Sequence, residues 1–450
     1  MRKLLVLVLA LYIVLSEASA ANNPQGINGT WQGPLLITEN KSMQLIVHFI
    51  ANDKGYKATL DVPEQNQYGL EFNQVNVDGN EVNLALSAAN INYKATLKNN
   101  VLEGTYSQGT FNAPLNLKRT SKPVARQKKP QEPENNALFR HELVTFPSLD
   151  GQHQLSGVLS YPKGSASHVA ILLSGSGPTT RDADVFGHKV FTVIAKQLNE
   201  LGVAVLRYDD RGVGKSTGDY ASATSADFAN DANAAYQFLS KHSLLSQSKI
   251  GFIGHSEGGL IGAIAGANNP QLDFLVSLAG LGTSGADILI DQSYYIQKLL
   301  GMDEQALMAS DKVQREIIGA IKAGISKTAL VDLMKRNGIS PQQANAQTEQ
   351  MTSPWFEFFI KTDAKKYLTQ LRMPVLALNG ELDSQVLAEK NIEGFEHALQ
   401  NGRLTTKIYP RLNHLFQPAK TGLPSEYAEI DITFSATVSS DIVQWLKSLS

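Results

Sequence analysis

At 450 residues the chain exceeds what one hydrophobic core usually organises, so two or more domains are expected. A net charge of -2 gives nucleic acid no electrostatic footprint, and 42% apolar with 18% charged residues describes a folded chain rather than a disordered one. The absence of cysteine excludes disulfides, thiolate metal sites, a cysteine nucleophile and a lipidated N-terminal cysteine.

Arg2 and Lys3 precede an apolar run over 4–15, and Ala18-Ser19-Ala20 offers the small residues that a signal peptidase accepts. The run is shorter than the roughly 20 apolar residues of a membrane span. Residues 1–20 therefore read as a signal peptide cleaved near Ala20, and the expectation is an exported protein, periplasmic or secreted, without stable membrane insertion. Over 26–119 short runs alternate apolar with polar residues, as in Gln44-Leu45-Ile46-Val47-His48-Phe49, and Asp78-Gly79-Asn80 and Asn99-Asn100 punctuate them as hairpin turns do. This predicts a small all-β domain, an antiparallel barrel or sandwich, with no catalytic cluster. Residues 120–137, rich in Pro, Lys, Gln and Glu, bury too little to fold alone and read as a linker.

From 138 to 450 β-branched runs alternate with helical stretches, the signature of a mainly parallel sheet flanked by helices. Strands are predicted at 141–146, 155–161, 168–173, 203–207, 249–253, 272–278, 374–378 and 404–409. Helices are predicted at 191–201, 226–240, 257–267, 386–399 and 438–449. Residues 285–371 break the alternation with helical patterning and no strand. An insertion of that size reads as a cap over a site, with a purely stabilising subdomain as the alternative.

Two Gly-x-Ser-x-Gly stretches compete for the chemistry. In Gly212-Val213-Gly214-Lys215-Ser216-Thr217-Gly218 the opening glycine of a phosphate-binding loop is replaced by Asp209, which has the wrong charge, and the serine lacks a strand directly before and a helix directly after. Gly254-His255-Ser256-Glu257-Gly258 has both: an apolar strand runs into it and a small-residue helix leaves it. The flanking glycines suit a strained turn with no room for a β-carbon, so Ser256 is the predicted nucleophile.

A serine hydroxyl needs a base, and the base an orienting acid, in the chain order Ser, acid, His for this architecture. Asp383 lies on the turn after the 374–378 strand; Glu381 competes but directly follows the turn glycine and reads as solvated. His414, in the loop after the last strand, is the one histidine at the required place. His255 adjoins the nucleophile but is expected to point away from it. The oxyanion donors are predicted to be the backbone N–H groups of Glu257 and of Ser176, the latter freed by its neighbours Gly175 and Gly177.

Taken in order, Gly175-Ser176-Gly177-Pro178 with Arg181-Asp182, the Arg207 to Gly218 segment, the elbow, Asn379-Gly380 with Asp383, and Asn413-His414 resemble the α/β-hydrolase superfamily, in particular exported bacterial esterases and serine aminopeptidase-like proteins. The likeness covers about 142–449. It implies that the Arg207 to Gly218 stretch is architecture, with Lys215 and Ser216 near the surface. Ser174 replaces the histidine of the commoner His-Gly oxyanion loop. The expected activity is hydrolysis of a small-molecule carboxylic ester through an acyl-enzyme, with no metal or cofactor. Trp355, Phe356 and Phe359 either line an apolar acyl pocket or pack as core. A peptidase or thioesterase is the alternative within hydrolases, with Asp287, Asp291 and Glu357 as scattered candidates for holding a substrate amine. A noncatalytic ligand-binding protein on a hydrolase scaffold is the alternative of another class.

Overall fold

Alternation along the first strands, with every second side chain apolar, buries one face of a sheet and leaves the other wet. The computed structural model describes residues 26–38, 41–52, 55–63, 67–86, 91–109, 111–121, 128–133, 140–245, 247–400 and 402–449. The predicted signal peptide lies outside the described residues. The described residues fall into two compact units, the first made of those up to Lys129 together with Val185–Gly187, the second of Pro130–Asp184 and those from His188 on.

In the first unit, β1 (Gly29–Thr38), β2 (Lys41–Asn52), β3 (Gly55–Val62), β4 (Gln67–Glu71), β5 (Gln74–Asp78), β6 (Glu81–Leu86), β7 (Ile91–Lys98), β8 (Val101–Gln108) and β9 (Phe111–Thr120) form a single antiparallel sheet. Its order is β4-β3-β2-β1-β9-β8-β7-β6-β5, so the two edge strands are consecutive in the chain and the sheet curls as a half-barrel. Among the described residues the strands make this one sheet and not the two packed sheets of the sandwich alternative. Trp31, Phe49, Leu60, Phe72, Tyr93, Leu102 and Leu117 fill the concave side. The two polar tips among them are satisfied: Trp31 Nε1 donates to the Ile27 carbonyl at 2.7 Å and the Tyr93 hydroxyl to that of Leu102 at 3.0 Å.

In the second unit, β10 (Arg140–Pro147), β11 (Gln154–Tyr161), β12 (His168–Leu173), the short hairpin β13 (Asp184–Val185) and β14 (His188–Lys189), β15 (Ala204–Tyr208), β16 (Lys249–His255), β17 (Phe274–Leu278), β18 (Val375–Gly380) and β19 (Leu404–Tyr409) follow in chain order. All but the hairpin join one sheet, ordered β10-β11-β15-β12-β16-β17-β18-β19. Only β11 runs against the rest; from β15 to β19 every pair is parallel. The central strands are buried on both faces, which is why they read as continuous apolar runs such as Val169-Ala170-Ile171-Leu172-Leu173. Helices α1 (Val190–Glu200), α2 (Ser225–Ser240) and α3 (Glu257–Ala267) connect the first strands. Between β17 and β18 come α4 (Gly285–Leu299), α5 (Glu304–Lys322), α6 (Lys327–Arg336), α7 (Pro341–Met351), α8 (Pro354–Lys361) and α9 (Lys365–Leu368), and α10 (Ala388–Ala398) and α11 (Ala436–Ser448) complete the unit.

Five of the six helices between β17 and β18 start at a serine or aspartate: Ser284, Asp303, Ser326, Ser340 and Ser353 each cap one by accepting from a backbone N–H in its first turn. In the segment read as a linker, Gln131 is docked rather than free. Its Oε1 accepts from the Thr433 and Phe434 amides at 2.7 and 3.0 Å, and its Nε2 donates to the Phe434 carbonyl at 2.9 Å.

Candidate active site

Strand β16 delivers Ser256 directly into α3, and the turn leaves the serine at φ 56°, ψ -123°. That region is costly for any residue with a β-carbon, by about 1–3 kcal/mol, and survives only where surroundings enforce it. They do so through glycine: a β-carbon on Gly254 would lie 2.0 Å from the Gly258 carbonyl oxygen, and one on Gly258 2.2 Å from that of Leu173. The Ser256 amide donates to the Leu278 carbonyl at 2.8 Å, tying the elbow to the neighbouring strand. Ser256 keeps partial exposure at the carboxyl edge of the sheet.

Asp383 and His414 lie on the loops after β18 and β19. The His414 Nδ1 is 2.8 Å from Asp383 Oδ2. The other carboxylate oxygen, Oδ1, accepts from the Gln385 and Val386 amides, both at 2.8 Å, and Asp383 is 1% exposed. An ionised carboxylate only accepts, so Nδ1 carries the proton of the neutral imidazole and Nε2 keeps its lone pair. The histidine loop is held by Asn413, whose Oδ1 accepts from the Leu415 and Gln417 amides at 3.0 and 2.9 Å. Gly380 makes the approach of the two loops possible, since a β-carbon there would sit 2.3 Å from the Leu412 carbonyl oxygen. Glu381 is exposed and accepts from the Arg411 amide at 2.9 Å.

His255 packs its ring against that of His414, centroids 4.7 Å apart, with Nε2 2.9 Å from the His414 carbonyl oxygen. Burial, then the proximity of His414, lowers its pKa to about 3, so it is neutral and donates from Nε2.

Ser176 is exposed in the loop after β12, and Gly175 there has its Cα beside Ser256: a β-carbon would meet Ser256 Cβ at 3.1 Å. Asp210 fastens the same loop, accepting from Ser174 Oγ at 2.7 Å and from the Thr179 amide at 2.9 Å. Burial raises the Asp210 carboxyl to about 8. The Glu257 side chain is buried, with Ser176 Oγ 2.7 Å from its Oε2 and Trp355 Nε1 2.8 Å from its Oε1. Trp355, Phe356 and Phe359 are themselves buried, and the Trp355 and Phe359 rings stack at 5.0 Å. Their placement favours the core-packing alternative.

The competing serine is part of the scaffold. Ser216 is buried rather than near the surface, its hydroxyl donating to the Asp209 carbonyl at 2.7 Å and accepting from the Ser156 amide at 2.9 Å, whereas Lys215 is exposed as expected. Asp209 sits where a phosphate would be cradled: its carboxylate accepts from the Lys215 amide at 2.9 Å and is paired with Arg181. The loop is filled by its own anion. The sequence alone assigns no role to the side chains of Glu257 and Asp210. The available signal was a carboxylate opening a helix otherwise built of Gly, Ala, Leu and Ile, where burial forces it to find donors.

A serine on a strained strand-to-helix turn, over an eight-stranded sheet with one reversed strand second from its edge, defines an α/β-hydrolase. The chain belongs to the hydrolase family described as serine aminopeptidase, S33, whose model matches residues 188–417. It is 26% identical over 265 residues to Esterase EstD of Thermotoga maritima, and the matched region spans 58% of each chain. Solved structures that it resembles include an esterase of Pyrococcus furiosus (16% identity, TM-score 0.44, 71% of this chain and 97% of that one). The α/β hydrolase GrgF of a Penicillium species (19%, TM-score 0.44, 69% and 98%) and Est1E of Butyrivibrio proteoclasticus with ferulic acid bound (17%, TM-score 0.42, 68% and 99%) are also similar.

Proposed function

We propose that the protein is a serine hydrolase of carboxylic esters, with Ser256 as nucleophile, His414 as general base and Asp383 orienting the imidazole. The observation that carries it is the buried 2.8 Å contact of His414 Nδ1 with Asp383, on loops beside a serine held at positive φ. In this reading His414 Nε2 takes the Ser256 proton as Oγ attacks the ester carbonyl carbon. The amides of Ser176 and Glu257 receive the oxyanion, and the alkoxide leaves with the proton returned by His414. Water, deprotonated by the same nitrogen, then splits the acyl-enzyme to acid and free serine.

The esterase relative supports an ester over a peptide substrate. So does the state of the carboxylates that are the candidates for holding an amine: Asp291 pairs with Lys390, Glu357 with Lys361, and Asp287 accepts from its own capping Ser284. The test is hydrolysis of p-nitrophenyl esters of increasing acyl length, beside aminoacyl p-nitroanilides, with fluorophosphonate labelling of wild type, Ser256→Ala and Ser216→Ala. Loss of turnover and label in Ser256→Ala alone supports the reading. Turnover of the anilides in preference to the esters would transfer it to the peptidases, and an unlabelled wild type would end it.

A further inference from the structure

Glu257 follows the nucleophile and opens α3, so its backbone and its side chain leave the helix start in different directions. The side chain is enclosed, 1% exposed, and three groups donate to it from three separate elements. Ser176 Oγ, on the loop after β12, reaches Oε2 at 2.7 Å; Ser225 Oγ, at the start of α2, reaches Oε1 at 2.7 Å. Trp355 Nε1, on α8 of the cap, is shared between the two oxygens at 2.8 and 3.0 Å. An indole N–H can only donate, which fixes the carboxylate as the acceptor. Burial holds the carboxyl above its ordinary value, outweighing the Ser225, Ser176 and Trp355 donors that pull it down. The start of a helix also favours negative charge.

A residue needed only to fill this space would not be a carboxylate, because burying one without donors is costly and the rest of α3 is apolar or glycine. Nor does Ser176 need Glu257 for satisfaction, since it is exposed and water would serve its hydroxyl. What the bond does is positional. Gly177, at φ 98°, leaves the loop free to turn, and anchoring the Ser176 hydroxyl restricts where its own amide aims.

We propose that Glu257 is a positioning residue, its carboxylate setting the aim of the Ser176 amide and, through Trp355, making that aim depend on the seat of cap helix α8. This rests on the reading of Ser256 as nucleophile and of the Ser176 amide as an oxyanion donor. Withdrawal of α8 would take away the indole N–H and loosen the carboxylate that holds the loop. The oxyanion site would then be complete only under a seated cap.

The experiment compares wild type, Trp355→Phe, Ser176→Ala, their double mutant, Glu257→Gln and Glu257→Ala on p-nitrophenyl butyrate, with fluorophosphonate labelling rates and Ser256→Ala as control. Trp355→Phe keeps an aromatic ring to stack on Phe359 but removes the N–H together with the five-membered ring, so Tm is measured beside kcat to separate the lost hydrogen bond from the cavity. The expected result is a fall in kcat of about tenfold in each single variant, less than the 10²–10³ of deleting an oxyanion donor outright, with KM little changed. Labelling should slow in parallel. The double mutant should be no worse than the weaker single, because both act through one carboxylate. Glu257→Gln, which keeps an acceptor, should retain more activity than Glu257→Ala. Wild-type kcat in Trp355→Phe, or losses that multiply in the double mutant, overturns the coupling while Ser256 still labels. A wild type that fails to label removes the underlying reading and this proposal with it.

Discussion

The imidazole of His255 lies against that of His414, ring centres 4.7 Å apart and tilted by 51°, and its Nε2 donates to the His414 backbone carbonyl at 2.9 Å. The residue before Ser256 thus braces the loop that carries His414. His255→Gln keeps a donor of similar reach but loses the ring face, so kcat/KM should fall by about tenfold through poorer base placement. Ester turnover checks this, and an unchanged value would show that the Asp383 contact alone suffices.

The same contact has a pH signature. His255 is held neutral in the fold down to about pH 3, whereas in the unfolded chain it takes a proton near its ordinary value of 6.5. Between those limits the unfolded state binds more protons, so stability falls as pH falls, by about 1.4 kcal/mol per pH unit at most. Urea midpoints at pH 7 and pH 5 should drop in wild type and drop less in His255→Gln. Equal drops would assign the acid sensitivity to another group.

Asp210 works with the opposite sign. Its folded carboxyl, raised to about 8 by burial, stays protonated through a range where the unfolded one, with an ordinary value of 3.8, is ionised. The fold therefore binds the extra proton, and this group's contribution to stability declines as pH rises from about 4 to about 8. Asp210→Asn, already neutral, should remove that decline while retaining partners for Ser174 and Thr179. Asp210→Ala should free the loop from Ser174 to Thr179 and lower stability and, in the proposed mechanism, kcat. Thermal unfolding of the three proteins at pH 5 and pH 8 separates the two effects, and a steeper pH dependence in Asp210→Asn would refute the assignment.

Much of this was legible in the sequence because apolar periodicity is a local record of burial. The 168–173 and 404–409 strands and the 257–267 helix coincide with β12, β19 and α3 to the residue. What periodicity cannot record is partnership across the fold. Asp209 had only the wrong charge for a phosphate loop, and that it fills the loop itself depends on Arg181, 28 positions earlier. The seat of Trp355 on Glu257 joins residues 98 apart, so the aromatic run in α8 gave no sign of which ring carried a hydrogen bond. The 2-residue strands of the β13 and β14 hairpin are too short for any period to announce.

Ser216 supplies the control for the choice between the two serines. Its hydroxyl bridges the Asp209 carbonyl and the Ser156 amide in a buried position, so Ser216→Ala leaves both backbone groups short of a partner and should cost about 1–3 kcal/mol. A lowered Tm with fluorophosphonate labelling of the folded fraction intact is the expected outcome. Loss of labelling at unchanged Tm would mean that the wrong Gly-x-Ser-x-Gly had been selected.

Asp383→Asn should do more damage to turnover than its size suggests, and the reason lies in the two amides behind it. Gln385 and Val386 both donate to Oδ1 at 2.8 Å, so the oxygen of an asparagine must take that place and its NH₂ must face His414. A donor opposite Nδ1 makes that nitrogen the acceptor and moves the proton to Nε2, the nitrogen needed to receive the Ser256 proton. The fold should survive, since the backbone amides keep their acceptor, while kcat falls by about 10⁴. Asp383→Ala, which leaves the tautomer free but the backbone amides unpartnered, should be the less stable protein and at least as active as Asp383→Asn. The comparison is between two measured pairs, Tm and kcat for each variant; an Asp383→Asn enzyme well above Asp383→Ala in kcat would show that orientation, not tautomer, is what Asp383 supplies.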